Sequence, residues 1–183
     1  MSELKKKTKD YGLYIPALLT KKVILPFYAV GKNIKENIQN VLSNTYEGKC
    51  SVEGYVKPGS IEIITYSSGI VQGSSIQFEV VIECEVCNPV EGMEIECIVK
   101  NITLAGIRAI SADNVEQSPV MVFIARDHHY MNEDFNKVKE GSKIKVKIIG
   151  SRFELNDNYV SVIGSYGENK KKEIKEEIIE EIE

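Results

Sequence analysis

No stretch of this 183-residue chain approaches the ~18 consecutive apolar residues that a membrane-spanning helix requires. The segment from Tyr14 to Val30 is interrupted by Pro16, Lys21, Lys22 and Pro26. The lysine-rich start, Met1 to Asp10, is followed by neither an apolar core nor a cleavage site, so no secretory leader is expected. Cysteine is scarce: four residues at irregular positions fit reduced, intracellular thiols rather than a disulfide framework. Arginine is scarcer still, 3 residues against 20 lysines, and with 24 isoleucines this reads as an AT-rich coding bias. Signatures of catalysis are missing too. There is no Gly-x-Ser-x-Gly elbow, no phosphate-cradling glycine loop and no paired histidine spacing for a metal, which argues against a metal-dependent hydrolase.

The formal net charge is −4, so any attraction for phosphate must come from a local basic stripe, with a strength that depends on salt. The apolar and charged fractions, 43% and 27%, are those of an ordinary folded protein. The length allows one large domain or two small ones.

Two β-rich halves meet at Asn88-Pro89-Val90-Glu91-Gly92. In the first, residues 13–30 read as an extended segment with Val23, Leu25 and Phe27 on one side; Pro16 and Pro26 place it at an edge. Gly31 then opens a helix to about Tyr46, with Ile34, Ile38, Val41 and Leu42 as its apolar stripe and Gly48 as its stop. Cys50 and Val52, then Ile61 and Ile63, alternate with polar neighbours around the turn Lys57-Pro58-Gly59. From Ser75 the alternation is cleanest: Ile76, Phe78, Val80, Ile82, Cys84 and Val86 face one way, Gln77, Glu79, Glu83 and Glu85 the other. The expectation is a helix packed on an antiparallel sheet.

In the second half, strands are expected near 93–101, 106–111, 120–125, 143–153 and 159–165, a closed five-stranded barrel of OB-fold size. Residues 127–138 leave room for a helical turn. From Glu168 the chain becomes a Lys-then-Glu tail with Ile174, Ile178 and Ile182 at helical spacing; its charges oppose the helix dipole, so it reads as a solubilising tail.

Four candidate sites emerge. Lys143, Lys145 and Lys147 alternate with Ile144, Val146 and Ile148, which puts three ammonium groups on one strand face about 6.5–7 Å apart, close to phosphate spacing in an extended single strand. Arg126 and Arg152 could extend that track, and Phe123 could offer a ring if it faces outward; the alternative is an ordinary solvated strand face. Cys84-Glu85-Val86-Cys87, with Cys97, His128 and His129, invites a zinc reading, but strand residues three apart point to opposite faces, so no metal or other cofactor is expected. Asp127-His128-His129 reads as a surface loop after the third barrel strand. Glu79, Glu83 and Glu85 form an acidic face, solvated or matched to a basic partner.

The order and spacing of several segments resemble the seventh subunit of RNA polymerase II and its archaeal counterpart, over roughly residues 13–167. The segments are Gly31 with its helix, Tyr46-Glu47-Gly48-Lys49-Cys50, Gly54-Tyr55-Val56, Pro89-Val90-Glu91-Gly92-Met93, Val122-Phe123-Ile124, Lys143 through Gly150, and Val162-Ile163-Gly164-Ser165. The resemblance implies a non-catalytic stalk subunit. An N-terminal tip domain (1–86) would dock on core polymerase, an OB-fold (87–167) would bind nascent RNA, and a charged tail (168–183) would follow. It also implies a partner like the fourth polymerase subunit, or the archaeal equivalent of that subunit, at the site of transcription in a nucleus, a cell or a viral factory.

Carried over by position, the core-docking candidates are Gly54, Tyr55, Pro58, Gly59, Gly69 and Ile70. The RNA candidates are Arg108, Phe123, Arg126, Lys143, Lys145, Lys147 and Arg152. One departure is that Ala105-Gly106-Ile107-Arg108-Ala109 puts no aromatic residue on the second barrel strand, so backbone-led RNA binding is expected. A free-standing OB-fold RNA-binding protein is the alternative, with less use for a helix-capped first domain.

Overall fold

The computed structural model describes residues 12–113 and 118–167. The tail from Glu168 and the lysine-rich start lie outside the described residues. The chain divides into two units, the first running to Asn88 and taking in Glu154–Asn158, the second comprising Pro89–Phe153 and the chain from Tyr159.

In the first unit the elements are β1 (Ile15–Pro26), a 3-10 turn (Phe27–Ala29), α1 (Ile34–Tyr46), β2 (Cys50–Ser51), β3 (Gly54–Val56), β4 (Glu62–Tyr66), β5 (Ile70–Gln72) and β6 (Ser75–Cys87). The long strand β6 organises them. It pairs antiparallel with β1 from Ile15↔Val86 to Pro26↔Ser75, and on its other side with β3, β4 and β5 in turn. Alternation on β6 follows the expected pattern: Phe78, Val80, Ile82, Cys84 and Val86 are buried with Val23, Leu25, Ile38, Leu42, Val56, Ile61 and Ile63. The predicted helix packed on an antiparallel sheet is present.

Three local expectations are corrected. The chain leaves extended geometry at Pro26, so Phe27 sits in the 3-10 turn and is exposed rather than continuing the row of Val23 and Leu25. The helix starts at Ile34, after a turn that follows Gly31. Its buried stripe is Ile38 and Leu42 with Ile34 partly covered, while Val41 falls to the side and is exposed. No side chain caps the helix N-terminus; instead Gln39 Nε2 donates to Ile61 O at 2.6 Å and Asn37 Nδ2 to Ala29 O at 2.8 Å. At Cys50 the backbone bonds to the segment 154–158: Cys50 N–H donates to Asp157 O at 2.7 Å, and Asn156 N–H to Cys50 O at 2.9 Å.

One charged residue lies on the core side of β1. Lys21 Nζ bonds both Glu53 carboxylate oxygens at 2.9 Å and sits 5.1 Å from the centre of the Tyr46 ring. Ser51 Oγ donates to the same carboxylate at 2.8 Å.

In the second unit, β7 (Glu94–Ile102), β8 (Gly106–Ser111), β9 (Val120–Ala125), β10 (Lys143–Arg152) and β11 (Val160–Tyr166) close a barrel in the order β10-β11-β9-β8-β7, with β10 returning to β7. The β9–β11 pair is parallel and the others antiparallel. This is the five-stranded barrel expected of an OB-fold. Val99, Ala109, Val122, Ile124, Val146, Ile148 and Val162 fill its interior. Gly106, at φ +151°, has no room for a side chain, because a Cβ there would stand 2.1 Å from Ile124 O.

The expected helical turn is a 3-10 turn (Arg126–His128) followed by the single-turn helix α2 (Glu133–Asn136), capped by Asn132 Oδ1, which accepts from the N–H groups of Asp134 and Phe135. Reading Asp127-His128-His129 as a surface loop misses the role of His129. Its Nε2 accepts from Tyr166 N–H at 2.9 Å, which leaves Nδ1 to carry the proton and donate to Ala125 O at 2.8 Å. The ring also stacks on buried Phe135 at 5.0 Å, and Phe135 meets Tyr166 edge-on. The imidazole thus ties the end of β9 to the end of β11.

Two outcomes follow. Replacing His129 with Ala removes the acceptor of the Tyr166 amide and the ring stacked on Phe135, and should lower stability by about 1–3 kcal/mol in urea denaturation, whereas His128→Ala should be near neutral. For Glu53, burial raises the carboxyl's pKa, but the bonds from Lys21 and Ser51 outweigh it and the net value is lowered. A carboxyl depressed in the folded state stabilises above its unfolded pKa of about 4.3 and loses that contribution as pH falls through the folded value. Glu53→Gln should therefore flatten the acid limb of a stability-against-pH curve measured below about pH 4.5.

Candidate docking and nucleic-acid surfaces

On the barrel, β10 turns Lys143, Lys145 and Lys147 outward while Ile144, Val146 and Ile148 go in. The neighbouring strand changes the electrostatics. Lys145 stands opposite Glu96 and Lys147 opposite Glu94 in the β10–β7 register, and Lys143 opposite Ile98. Cross-strand partners have Cβ atoms about 4.5–5.5 Å apart, so two carboxylates offset two of the three ammonium groups. Two of the three lysines of the row thus face a glutamate across the ladder.

A different set comes together around β8, β9 and β11. Arg108, Phe123 and Ile163 occupy one cross-strand row, continued to Gly150 on β10. The adjacent row runs Met121, Ser161, Arg152. Phe123 faces outward and is 52% exposed, with Ile163 at 60% beside it. Arg108 Nε reaches Met121 Sδ at 2.8 Å, which lays the guanidinium along the apolar patch. An outward aromatic face is thus bordered by Arg108 on one side and Arg152 on the other, and these two rows contain no carboxylate.

The second barrel strand does lack an aromatic residue, as expected, but the third supplies one directly opposite Arg108. The alternation Val122-Phe123-Ile124 signals this once the neighbours are known to be buried. Arg126 does not join the group. It is half-buried, its Nη2 donates to Thr103 O at 3.1 Å, and its Nε is shielded without a partner among the described residues. That guanidinium is committed to the β7–β8 turn.

The six docking candidates of the first unit do not form one surface. Gly54 and Tyr55 are buried at the Cys87 end of β6; a Cβ on Gly54 would stand 2.6 Å from Cys87 O. Pro58 and Gly59 are exposed near that same end, where Gly59 N–H donates to the Glu47 carboxylate at 2.9 Å. Gly69 and Ile70 are exposed at the opposite end, where Ile70 pairs with Gln77. Along the strand these ends are separated by ten residues of β6, about 33 Å. Around Ile70 the structure adds residues that the sequence reading did not single out: Ile24 shares its row through Gln77, Val71 follows it, and Phe27 and Tyr28 continue from β1. All are exposed, and together they make an apolar end to the sheet.

Cys84 and Cys87 lie three apart on one strand, and all four cysteines are buried and outside any disulfide. Among the described residues no group of three or more His, Cys, Asp or Glu could hold a metal. Burial, with Asp157 adding, pushes the Cys50 thiol up to about 11; burial, with Asp113 adding, pushes Cys97 up to about 12. Both stay protonated at neutral pH. Ellman's reagent at pH 8 should therefore react with Cys50 and Cys97 at least ~100-fold more slowly in the native chain than in urea.

No family model matches the chain. Curated relatives do. The chain is 26% identical over 165 residues to a protein of Acanthamoeba polyphaga mimivirus named as a DNA-directed RNA polymerase subunit, covering 83% of this chain and 81% of that protein. It is 24% identical over 160 residues to DNA-directed RNA polymerase II subunit 7 of Arabidopsis thaliana, covering 73% and 86%. With DNA-directed RNA polymerase II subunit RPB7 of Glycine max the identity is 23% over 145 residues, covering 69% and 78%. The resemblance read from the residues is thus matched by relatives bearing that subunit's name, at modest identity and over most of the chain.

Proposed function

We propose that this chain is a non-catalytic subunit of a DNA-dependent RNA polymerase, of the stalk-forming kind. The observation that carries the reading is the length of the alignments: relatives named as polymerase subunits match it over 69–83% of its residues, more than either unit alone accounts for. The first unit docks on the core enzyme and the barrel contacts nascent RNA. Nucleotide addition belongs to the large subunits. A partner equivalent to the fourth subunit completes the assembly, which works at the site of transcription.

Separate observations support a finer reading of each contact. Docking is best supported at the apolar end formed by Ile24, Phe27, Tyr28, Ile70 and Val71, which pools the exposed hydrophobic area an interface core uses. RNA contact is best supported at Arg108, Phe123 and Arg152, where stacking and phosphate pairing combine. Lys143, Lys145 and Lys147 contribute less because Glu94 and Glu96 oppose them.

Purification of the tagged chain from its native cells or infected cells should recover the large polymerase subunits in defined proportion; recovery of ribosomes or RNA without them would overturn the reading. In the assembled enzyme, Phe123→Ala should cut photo-crosslinking to emerging transcript by about 5- to 150-fold, the range set by one stacked base. Reversing all three lysines to Glu should cost less than that. The logarithmic salt slope should be shallow, about −1 to −2, as expected for two or three phosphate contacts on a single strand.

A further inference from the structure

The second unit carries exposed apolar side chains that neither proposed contact uses. Leu104, in the turn between β7 and β8, is 95% exposed, and Tyr130 and Met131, just past the 3-10 turn, are 65% and 81% exposed. The backbone gathers them at one end of the barrel. Arg126 N–H donates to Ala105 O at 3.0 Å and its Nη2 to Thr103 O, which ties the 3-10 turn to the β7–β8 turn. His129, next to Tyr130, accepts from Tyr166 N–H at 2.9 Å. Gly167 N–H then donates to Lys145 O at 2.9 Å, so the chain leaves β11 beside this cluster.

The segment that follows has an apolar stripe of its own. In residues 168–183, Ile174, Ile178 and Ile182 repeat at every fourth position, the spacing of one helix face. A tail that only solvates has no use for that repeat. Its charge order opposes the helix dipole and the run is short, so a helix here needs a surface to hold it. The seven residues from Gly167 to Ile174 span at most about 25 Å, and the stripe from Ile174 to Ile182 is about 12 Å long as a helix. Both lengths suit a surface that begins beside Tyr166. With the isoleucines turned inward, Glu177 and Glu181 flank them on one side, each about 100° before an isoleucine. Two exposed lysines lie at the same end of the barrel. Lys139 enters the turn in which Ser142 N–H donates to its carbonyl at 3.1 Å, and Lys143 begins β10 opposite uncharged Ile98.

We propose that residues 168–183 dock as a helix on this end of the barrel, with the isoleucine stripe on Leu104, Tyr130 and Met131 and with Glu177 and Glu181 toward Lys139 and Lys143. The occupant is the chain's own tail because the tail starts at the cluster, and tethering gives it a local concentration that a separate partner lacks. Once docked, it covers the Lys143 end of the lysine row and competes there with any other anion. The inference does not rest on the polymerase reading, since every residue in it belongs to the second unit.

The test is amide hydrogen exchange on the dilute full chain, compared with a capped peptide of residues 168–183. The amides from Ile174 to Ile182 should exchange at least ~5-fold more slowly in the chain than in the peptide. Tyr130→Ser with Met131→Ser should remove that difference while the thermal midpoint stays near wild type, because both side chains are exposed. Lys139→Glu with Lys143→Glu should reduce it, and adding Glu177→Lys with Glu181→Lys should restore it. Disulfide capture by oxidised glutathione reads the docked face: Met131→Cys should close with Ile178→Cys at least ~10-fold faster than with Glu180→Cys, which lies on the far side of the helix. Four results would overturn the proposal. Exchange at the peptide's rate in the full chain would leave the cluster to a separate partner, and protection that grows with chain concentration would mean pairing between copies. Protection that survives the serine changes would put the helix elsewhere, and equal capture at the two tail positions would mean a tether without a docked face.

Discussion

The first unit depends on the alternation of a single strand. Each residue of β6 commits its backbone to one side or the other: Glu79 and Glu85 bond toward Ser67, Lys57 and Ser60, which leaves the intervening residues for β1. Side chains alternate in step, so Phe78, Val80 and Ile82 enter the core while Glu79 and Glu83 stay out. A slip of one residue would exchange those rows and bury carboxylates, which is why the register is fixed. Lys21 marks the one place on β1 where a charge enters the inner row. It is accommodated because Glu53, Ser51 and Tyr46 surround it with a paired carboxylate, a hydroxyl and a ring face.

The two units solve the problem of strand edges in opposite ways. The barrel removes its edges by closure, through a parallel β9–β11 pair and the antiparallel return of β10 to β7. That closure also sets the surface geometry: only with β9 between β8 and β11 do Arg108, Phe123 and Ile163 fall into one row. In the sheet of the first unit no described residue pairs with the outer side of β1, which carries two prolines and a lysine pair. Proline and lysine on an edge strand resist promiscuous pairing.

Much of this was legible in residue order. Period-2 alternation located β6 and β8–β11 to within a residue or two, because one face of each is buried and the pattern is strong. What residue order did not show has a common cause, namely dependence on neighbours distant in sequence. That Glu94 and Glu96 stand opposite two lysines of the row appears only with the β10–β7 register. His129 looked like loop because its partners, Ala125 and Tyr166, belong to the ends of two strands. Arg126 looked available until Thr103 claimed it. The six docking candidates looked like one loop cluster because their separation along β6 becomes visible only when Tyr55 pairs with Cys87 and Ile70 with Gln77.

The relative weight of charge and stacking on the barrel can be argued from magnitudes. An exposed ion pair contributes ~0.2–1 kcal/mol, and a lysine already facing a glutamate has part of that interaction satisfied before any phosphate arrives. A base stacked on an open aromatic ring contributes ~1–3 kcal/mol, and the strand rows that hold Phe123 carry no carboxylate among the described residues. On the proposed reading, the ring and its two arginines therefore outweigh the lysine row, even though the lysines are the louder signal in the sequence. Every base has a π-face, so contact made in this way tolerates any transcript sequence. On the same proposed reading, the opposed glutamates limit the charge term and so favour release of RNA as it moves.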